Sequence, residues 1–191
     1  YLPAELVARC SKPKLTEYTP IKVSTSFQKE KYALNIGEYG DLEIIVGEAK
    51  YKLVSSYSYP GEKIGYYYFN SATDITSNWK VGIKTEEGSS ISIETNGKHY
   101  KITRNVSAES EKVIVRETIT NNADEPVGIL IAHQIILEDL PQQFRVAGID
   151  STERVAGVAE NPTIFVGYRG CSLGFLAEDN LLRAQGEIAK Q

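Results

Sequence analysis

The chain has 191 residues, 41 % apolar and 24 % charged, which is ordinary globular composition and argues against a disordered polymer. Its net charge of −4 and pI near 5.4, with both signs interspersed, give no basic footprint for nucleic acid or anionic lipid. No apolar run approaches the roughly 20 residues of a spanning helix, so the expected partners include neither nucleic acid nor a membrane core.

A chain of this length fits one domain, residues 1–191, and can bury a substantial core without metal or disulfide. It contains no Met, begins Tyr1-Leu2-Pro3 and carries no leader, so it reads as a fragment, a processed chain or a module of a larger protein. The first eight or so residues are one of two stretches that could be helical. Three strands are then expected, Leu42–Val46, Tyr51–Tyr57 and Ile64–Phe69, bounded by Gly40-Asp41, Gly47-Glu48 and Pro60-Gly61. Aromatics crowd here: Tyr57 and Tyr59 precede Pro60-Gly61, and Tyr66, Tyr67, Tyr68 and Phe69 follow. Consecutive tyrosines on a strand face both ways, so at least one of Tyr66, Tyr67 and Tyr68 is a candidate platform for stacking a sugar. High strand propensity of Tyr explains the same run without any ligand.

From Trp79 to Leu137 the period is two. Trp79, Val81 and Ile83 share one parity, as do Ile91 and Ile93, Tyr100 and Ile102, Val113 and Val115, and Ile129, Ile131, Ile135 and Leu137. Such alternation marks half-buried antiparallel strands. The turn clusters predict a meander with hairpins at Gly88, Gly97 and Ala123, and Asn96-Gly97 suits a tight two-residue turn with positive φ. Downstream, Thr163–Tyr168 and Cys171–Leu176 form a further hairpin across Arg169-Gly170, and Glu178 to Lys190 is the second stretch with helical character. Short strands at this spacing with little helix predict an all-β chain, a two-sheet antiparallel β-sandwich of the supersandwich kind.

Candidate chemistry is sparse. His133 shares parity with its apolar neighbours and is expected inside, hydrogen-bonded; His99 follows the Asn96-Gly97 turn, where exposure is expected. The two could act as an acid–base pair on a sugar only if they meet, which the sequence does not indicate. Glu117 takes the inward parity of Val113, Val115 and Ile119, while Arg116 faces the other way and cannot pair with it. A bulge or an edge position is therefore the simpler expectation for Glu117. Cys10 and Cys171 are compatible with a disulfide between the chain ends or with two free thiols, and their spacing suits no metal. No nucleotide, hydrolase-elbow or metal motif occurs, so no cofactor and no metal are implied.

The stretch YKITRNVSAESEKVIVRETITNNADEPVGILIAHQI, Tyr100 to Ile135, resembles the galactose-mutarotase-like β-sandwich, and NPTIFVGYRGCSLGFLAEDNLLRAQ resembles its continuation in hydrolase-linked members. That fold occurs as free sugar epimerases and as accessory domains of glycoside hydrolases and polysaccharide lyases. The epimerases share paired histidines with a glutamate and an aspartate. Here only His99 and His133 are available, without recognisable flanks, so catalytic roles are not carried over. The resemblance implies a non-catalytic module of a larger carbohydrate-active protein, extracellular or periplasmic, packing on a catalytic domain and contacting carbohydrate. Tyr66, Tyr67, Tyr68, His99 and His133 are its candidate ligand-binding residues. The alternative is a structural or adhesive sandwich module of a surface or assembly protein; a self-sufficient sugar epimerase ranks third.

Overall fold

A computed structural model describes residues 20–59, 65–69, 80–150 and 163–178, with backbone alone at Tyr59, Lys80 and residues 65–69. The described residues form strands and no helix: β1 (Val23–Gln28), β2 (Ala33–Gly37), β3 (Leu42–Val46), β4 (Ala49–Tyr59), β5 (Gly65–Phe69), β6 (Lys80–Thr85), β7 (Ser90–Asn96), β8 (Tyr100–Ala108), β9 (Val113–Asn121), β10 (Ile131–Leu137), β11 (Gln143–Val146), β12 (Ile149–Asp150), β13 (Thr163–Tyr168) and β14 (Cys171–Leu176). The chain is all-β, as its alternation predicts. Trp79, Cys10 and both stretches with helical character, apart from Glu178, lie outside the described residues. Among those residues no helix is long and apolar enough to cross a membrane.

Among the described residues every pairing is antiparallel, and the strands form three sheets. The first runs β1-β2-β3-β4-β10, the second β6-β7-β8-β9 and the third β12-β11-β13-β14. The 11-residue β4 organises the first. Its residues 51–57 pair with β10, so β3 (against residues 49–53) and β5 (against residues 55–59) must share its other edge end to end. The first and second sheets enclose the main core, where Leu34, Ile36, Leu42 and Tyr57 meet Ile91, Ile93, Tyr100, Ile102 and Val106. The third sheet adds Val166 to this core and sets Tyr168 and Phe175 against Tyr51, with ring centroids 5.8 and 6.3 Å away. A sandwich is therefore present, with a third small sheet beyond the two expected. Strands β11 and β12, too short to show alternation, supply its far edge, and β1 and β2 are further strands beyond those the sequence predicts.

Local chemistry sets the turns. Gly40, Gly47, Gly88 and Gly170 take φ of 81°, 61°, 77° and 85°, a region costly for residues with a Cβ. At Gly37 the constraint is space, because a methyl group would collide with the Asp41 carboxyl. The hairpin at Gly97 forms, but neither Asn96 nor Gly97 has positive φ. The strands separate after the Asn96–Lys101 pair, and Gly97 N donates to Tyr100 O at 2.9 Å across a four-residue loop.

Two expectations about the meander need correction. The β8–β9 hairpin closes at residues 109–112, where Glu109 N donates to Lys112 O at 2.9 Å, a turn without Gly, Asn or Pro. The Ala123 cluster closes no hairpin. There the Asn121 side chain caps a turn, accepting from Ala123 N (2.9 Å) and donating to Glu125 O (2.8 Å), and the chain then crosses to the first sheet. Ser58 of β4 receives it: Ser58 N donates to Leu130 O (2.9 Å) and Leu130 N donates to Ser58 Oγ (2.7 Å), which starts the β4–β10 pairing.

Candidate functional site

The main polar feature between the first two sheets is built around Arg104. It shares the inward parity of Tyr100, Ile102 and Val106 on β8 and is completely buried. Directly opposite on β9 stands Glu117, and the β8–β9 register runs without a shift from Tyr100–Asn121 to Ala108–Val113. The bulge expected at Glu117 is therefore absent. Although β9 is an edge strand, Glu117 faces inward and finds its cation on the neighbouring strand, not on its own.

The guanidinium fork reaches four residues on three segments: β9, the β2–β3 turn and β4. Arg104 Nε donates to Glu117 Oε1 at 2.7 Å, Nη1 to the Gly40 carbonyl at 2.9 Å, and Nη2 to Tyr57 Oη at 2.9 Å and to Ser55 Oγ. Tyr57 donates in turn to Glu117 Oε1 at 2.6 Å. Ser55 Oγ lies 2.8 Å from His133 Nδ1, its cross-strand partner on β10, and His133 Nε2 is 3.8 Å from Glu117 Oε2. The His133 and Tyr57 rings meet edge-on at 6.4 Å. A planar fork with five donors suits this set of acceptors; a lysine ammonium could not span it.

Burial alone would raise the Glu117 pKa, but the charges of Arg104 and His133 and hydrogen bonds from Tyr57 and Arg104 outweigh it and hold the carboxyl below its ordinary range. Burial, opposed by Arg104 and reinforced by Glu117, pushes the Tyr57 phenol well above its usual value. Burial opposes the Arg104 charge, yet Tyr57 and Glu117 keep it firmly protonated. Beside this cluster a second buried pair holds the same β2–β3 turn. Lys52 Nζ sits 3.4 Å from Asp41 Oδ2, and burial raises the Asp41 pKa against the pull of Lys52.

The constellation contains a hydroxyl, an imidazole and a carboxylate, yet it is not arranged for nucleophilic attack. Ser55 has no exposed surface, and its oxygen accepts from Arg104 while facing the imidazole. A nucleophile needs its lone pair directed at substrate in a cleft. The reachable groups are His133, with 24 % of its side chain exposed, and Glu117, with 13 %. Among the described residues no cluster of three or more His, Cys, Asp or Glu could hold a metal ion.

His133 thus points inward as its parity implies, half-buried and hydrogen-bonded. His99 lies in the β7–β8 loop, half-buried, with its carbonyl accepting from Asn122 N at 2.9 Å. It stands five residues, about 17 Å of extended strand, from Arg104, so the fold does not join the two histidines in one site. Tyr66, Tyr67 and Tyr68 lie on β5, registered opposite Ser58, Tyr57 and Ser56, and their side chains fall outside the described residues. Cys171 is a free thiol. Compared with protein-family models, with curated proteins and with solved structures, the chain matches none.

Proposed function

We propose that the chain is a non-catalytic β-sandwich module of a larger carbohydrate-active protein, docking on a neighbouring domain and contacting sugar. One observation carries the non-catalytic part: the acid–base groups brought together by the fold are used up in an inter-sheet clamp. Glu117 is charge-paired with Arg104 and accepts a hydrogen bond from Tyr57, Ser55 is enclosed, and His133 is hydrogen-bonded to Ser55. Such a site holds two sheets in register; it does not present a poised base to a ring oxygen.

Polarimetry on galactose and glucose, with a reducing-sugar assay over a polysaccharide panel, tests the reading. The isolated chain should show neither anomer interconversion nor glycosidic cleavage above background. Catalysis that disappears on replacing His99 or His133 would overturn it in favour of an epimerase or hydrolase.

A further inference from the structure

The third sheet turns two different faces outward and inward. Its inward face carries Phe144, Ile164, Val166, Tyr168, Leu173 and Phe175, all in the core or packed against it. Pairing places Asp150, Arg145, Phe165 and Gly174 in one row across the opposite face, with Gln143, Gly167 and Ser172 in the next. Phe165 is half-buried and takes no part in the core. Its ring leans along β13 over Gly167: a Cβ built on Gly167 would lie 3.3 Å from Phe165 Cε1 and 3.3 Å from Gln143 Cβ. On its other flank Gly174 leaves open space. A ring laid down beside two glycines turns one face to solvent. A groove of about 350 Å³ opens beside it, lined also by the amides of Gln142 and Gln143 and the hydroxyl of Ser172.

We infer that this groove binds the apolar face of a neutral pyranose ring, with Phe165 as its stacking platform. This rests on the reading that the module contacts carbohydrate, and it names the place. The volume is at the lower end for ligand sites and suits one ring. Its lining combines the Phe165 ring and two glycines, Gly167 and Gly170, with the polar residues Gln142, Gln143 and Ser172, a mixture that suits a ring with one apolar face and a hydroxyl-bearing edge. Neutrality follows from Arg145, whose Nε donates to Asp150 Oδ1 at 2.6 Å and whose charge is thereby matched. The hydrogen-bond network turns the Gln143 oxygen toward Arg145 (3.2 and 2.9 Å), and the Gln143 side chain also hydrogen-bonds to Asp150, which ties this amide to the same matched pair.

Affinity electrophoresis in soluble galactan, xylan, mixed-linkage β-glucan, starch and polygalacturonate tests this on the whole chain. At least one neutral polymer should retard the wild type, with affinity in the range of about 10 μM to 1 mM, as a shallow site allows. Phe165→Ala should weaken retardation at least tenfold, and Phe165→Tyr should retain it. Ser172→Ile fills the groove from an exposed strand position, leaves Phe165 in place, and should also abolish binding; it decides the matter if Phe165→Ala does not fold. Retardation that survives both Phe165→Ala and Ser172→Ile overturns the groove while sparing the carbohydrate reading, and would move the platform toward Tyr66, Tyr67 and Tyr68. No retardation of the wild type by any polymer overturns both. Retardation by polygalacturonate alone refutes the neutral ligand.

Discussion

The inner face of β4 meets two partners in two different chemistries. Near its start, Tyr51 packs edge-on against Tyr168 and at a tilt against Phe175 of the third sheet, and its buried hydroxyl has no partner stronger than the neighbouring Cys171 thiol. Four and six residues on, Ser55 and Tyr57 meet the second sheet through Arg104 and Glu117. Apolar contacts are non-directional and survive small shifts, whereas a fork that must reach four acceptors tolerates little displacement. The strand therefore combines one adaptable interface with one that fixes how the sheets sit. A buried charge cluster is weak evidence for net stability but a plain source of specificity, because its failure is costly.

The comparison breaks most visibly at Arg104. Arg104→Met removes the charge while keeping volume, leaving Glu117 buried without its cation and Ser55, Tyr57 and Gly40 O without that donor. The expected loss is about 3–5 kcal/mol of unfolding free energy by urea titration. Arg104→Met/Glu117→Leu should recover a large part of it, since the penalty lies in the stranded charge. A single variant within 1 kcal/mol of wild type, on the order of ordinary surface substitutions, would remove the clamp from the account.

A matched pair of tyrosine truncations sharpens the contrast. Tyr57→Phe deletes a hydroxyl that donates to Glu117 and accepts from Arg104, and should cost about 1–3 kcal/mol. Tyr51→Phe deletes a buried hydroxyl with little to lose, so its effect should stay within about 1 kcal/mol and can be favourable. Thermal melts of the two variants side by side give the answer, and equal losses would erase the distinction between the interfaces.

Much of the sandwich was legible in the alternation. Thr163–Tyr168, Cys171–Leu176 and Leu42–Val46 stand where the sequence predicts them, because each is a short, largely apolar run with a glycine turn beside it. The β8–β9 hairpin is not legible because Glu109-Ser110-Glu111-Lys112 lacks the usual turn residues, and the sheet that β10 joins is not legible because a turn-rich segment can also cross between sheets. The site was half legible. Parity places His133 and Glu117 inside, but the cation that pairs with Glu117 stands on the neighbouring strand and not next to it in sequence. Arg104 shares the parity of Tyr100, Ile102 and Val106, and folding β8 onto β9 about residues 109–112 places it opposite Glu117. An inward arginine facing an inward glutamate was the available signal. The contributions of Ser55, Tyr57 and the Gly40 carbonyl were not readable, since they depend on how two sheets stack.

The smallest expected effect is a pH dependence, and it separates the two carboxyls that flank the β2–β3 turn. The folded pKa of Glu117 lies below its ordinary value of 4.5, so the stability it contributes is present above that value and is lost as pH falls through the folded pKa. The folded pKa of Asp41 lies above its ordinary value of 3.8, so ionisation disfavours the fold, and stability linked to it is gained as pH falls through the folded pKa. The opposing slopes partly cancel in the wild type. Glu117→Gln removes one of them, so unfolding free energy measured from pH 7 to pH 3 should fall less steeply on acidification than in the wild type, despite a lower value at pH 7. A steeper acid loss in Glu117→Gln would mean that Glu117 is not the group held ionised between the sheets, and that Arg104 is anchored chiefly by Tyr57, Ser55 and the Gly40 carbonyl.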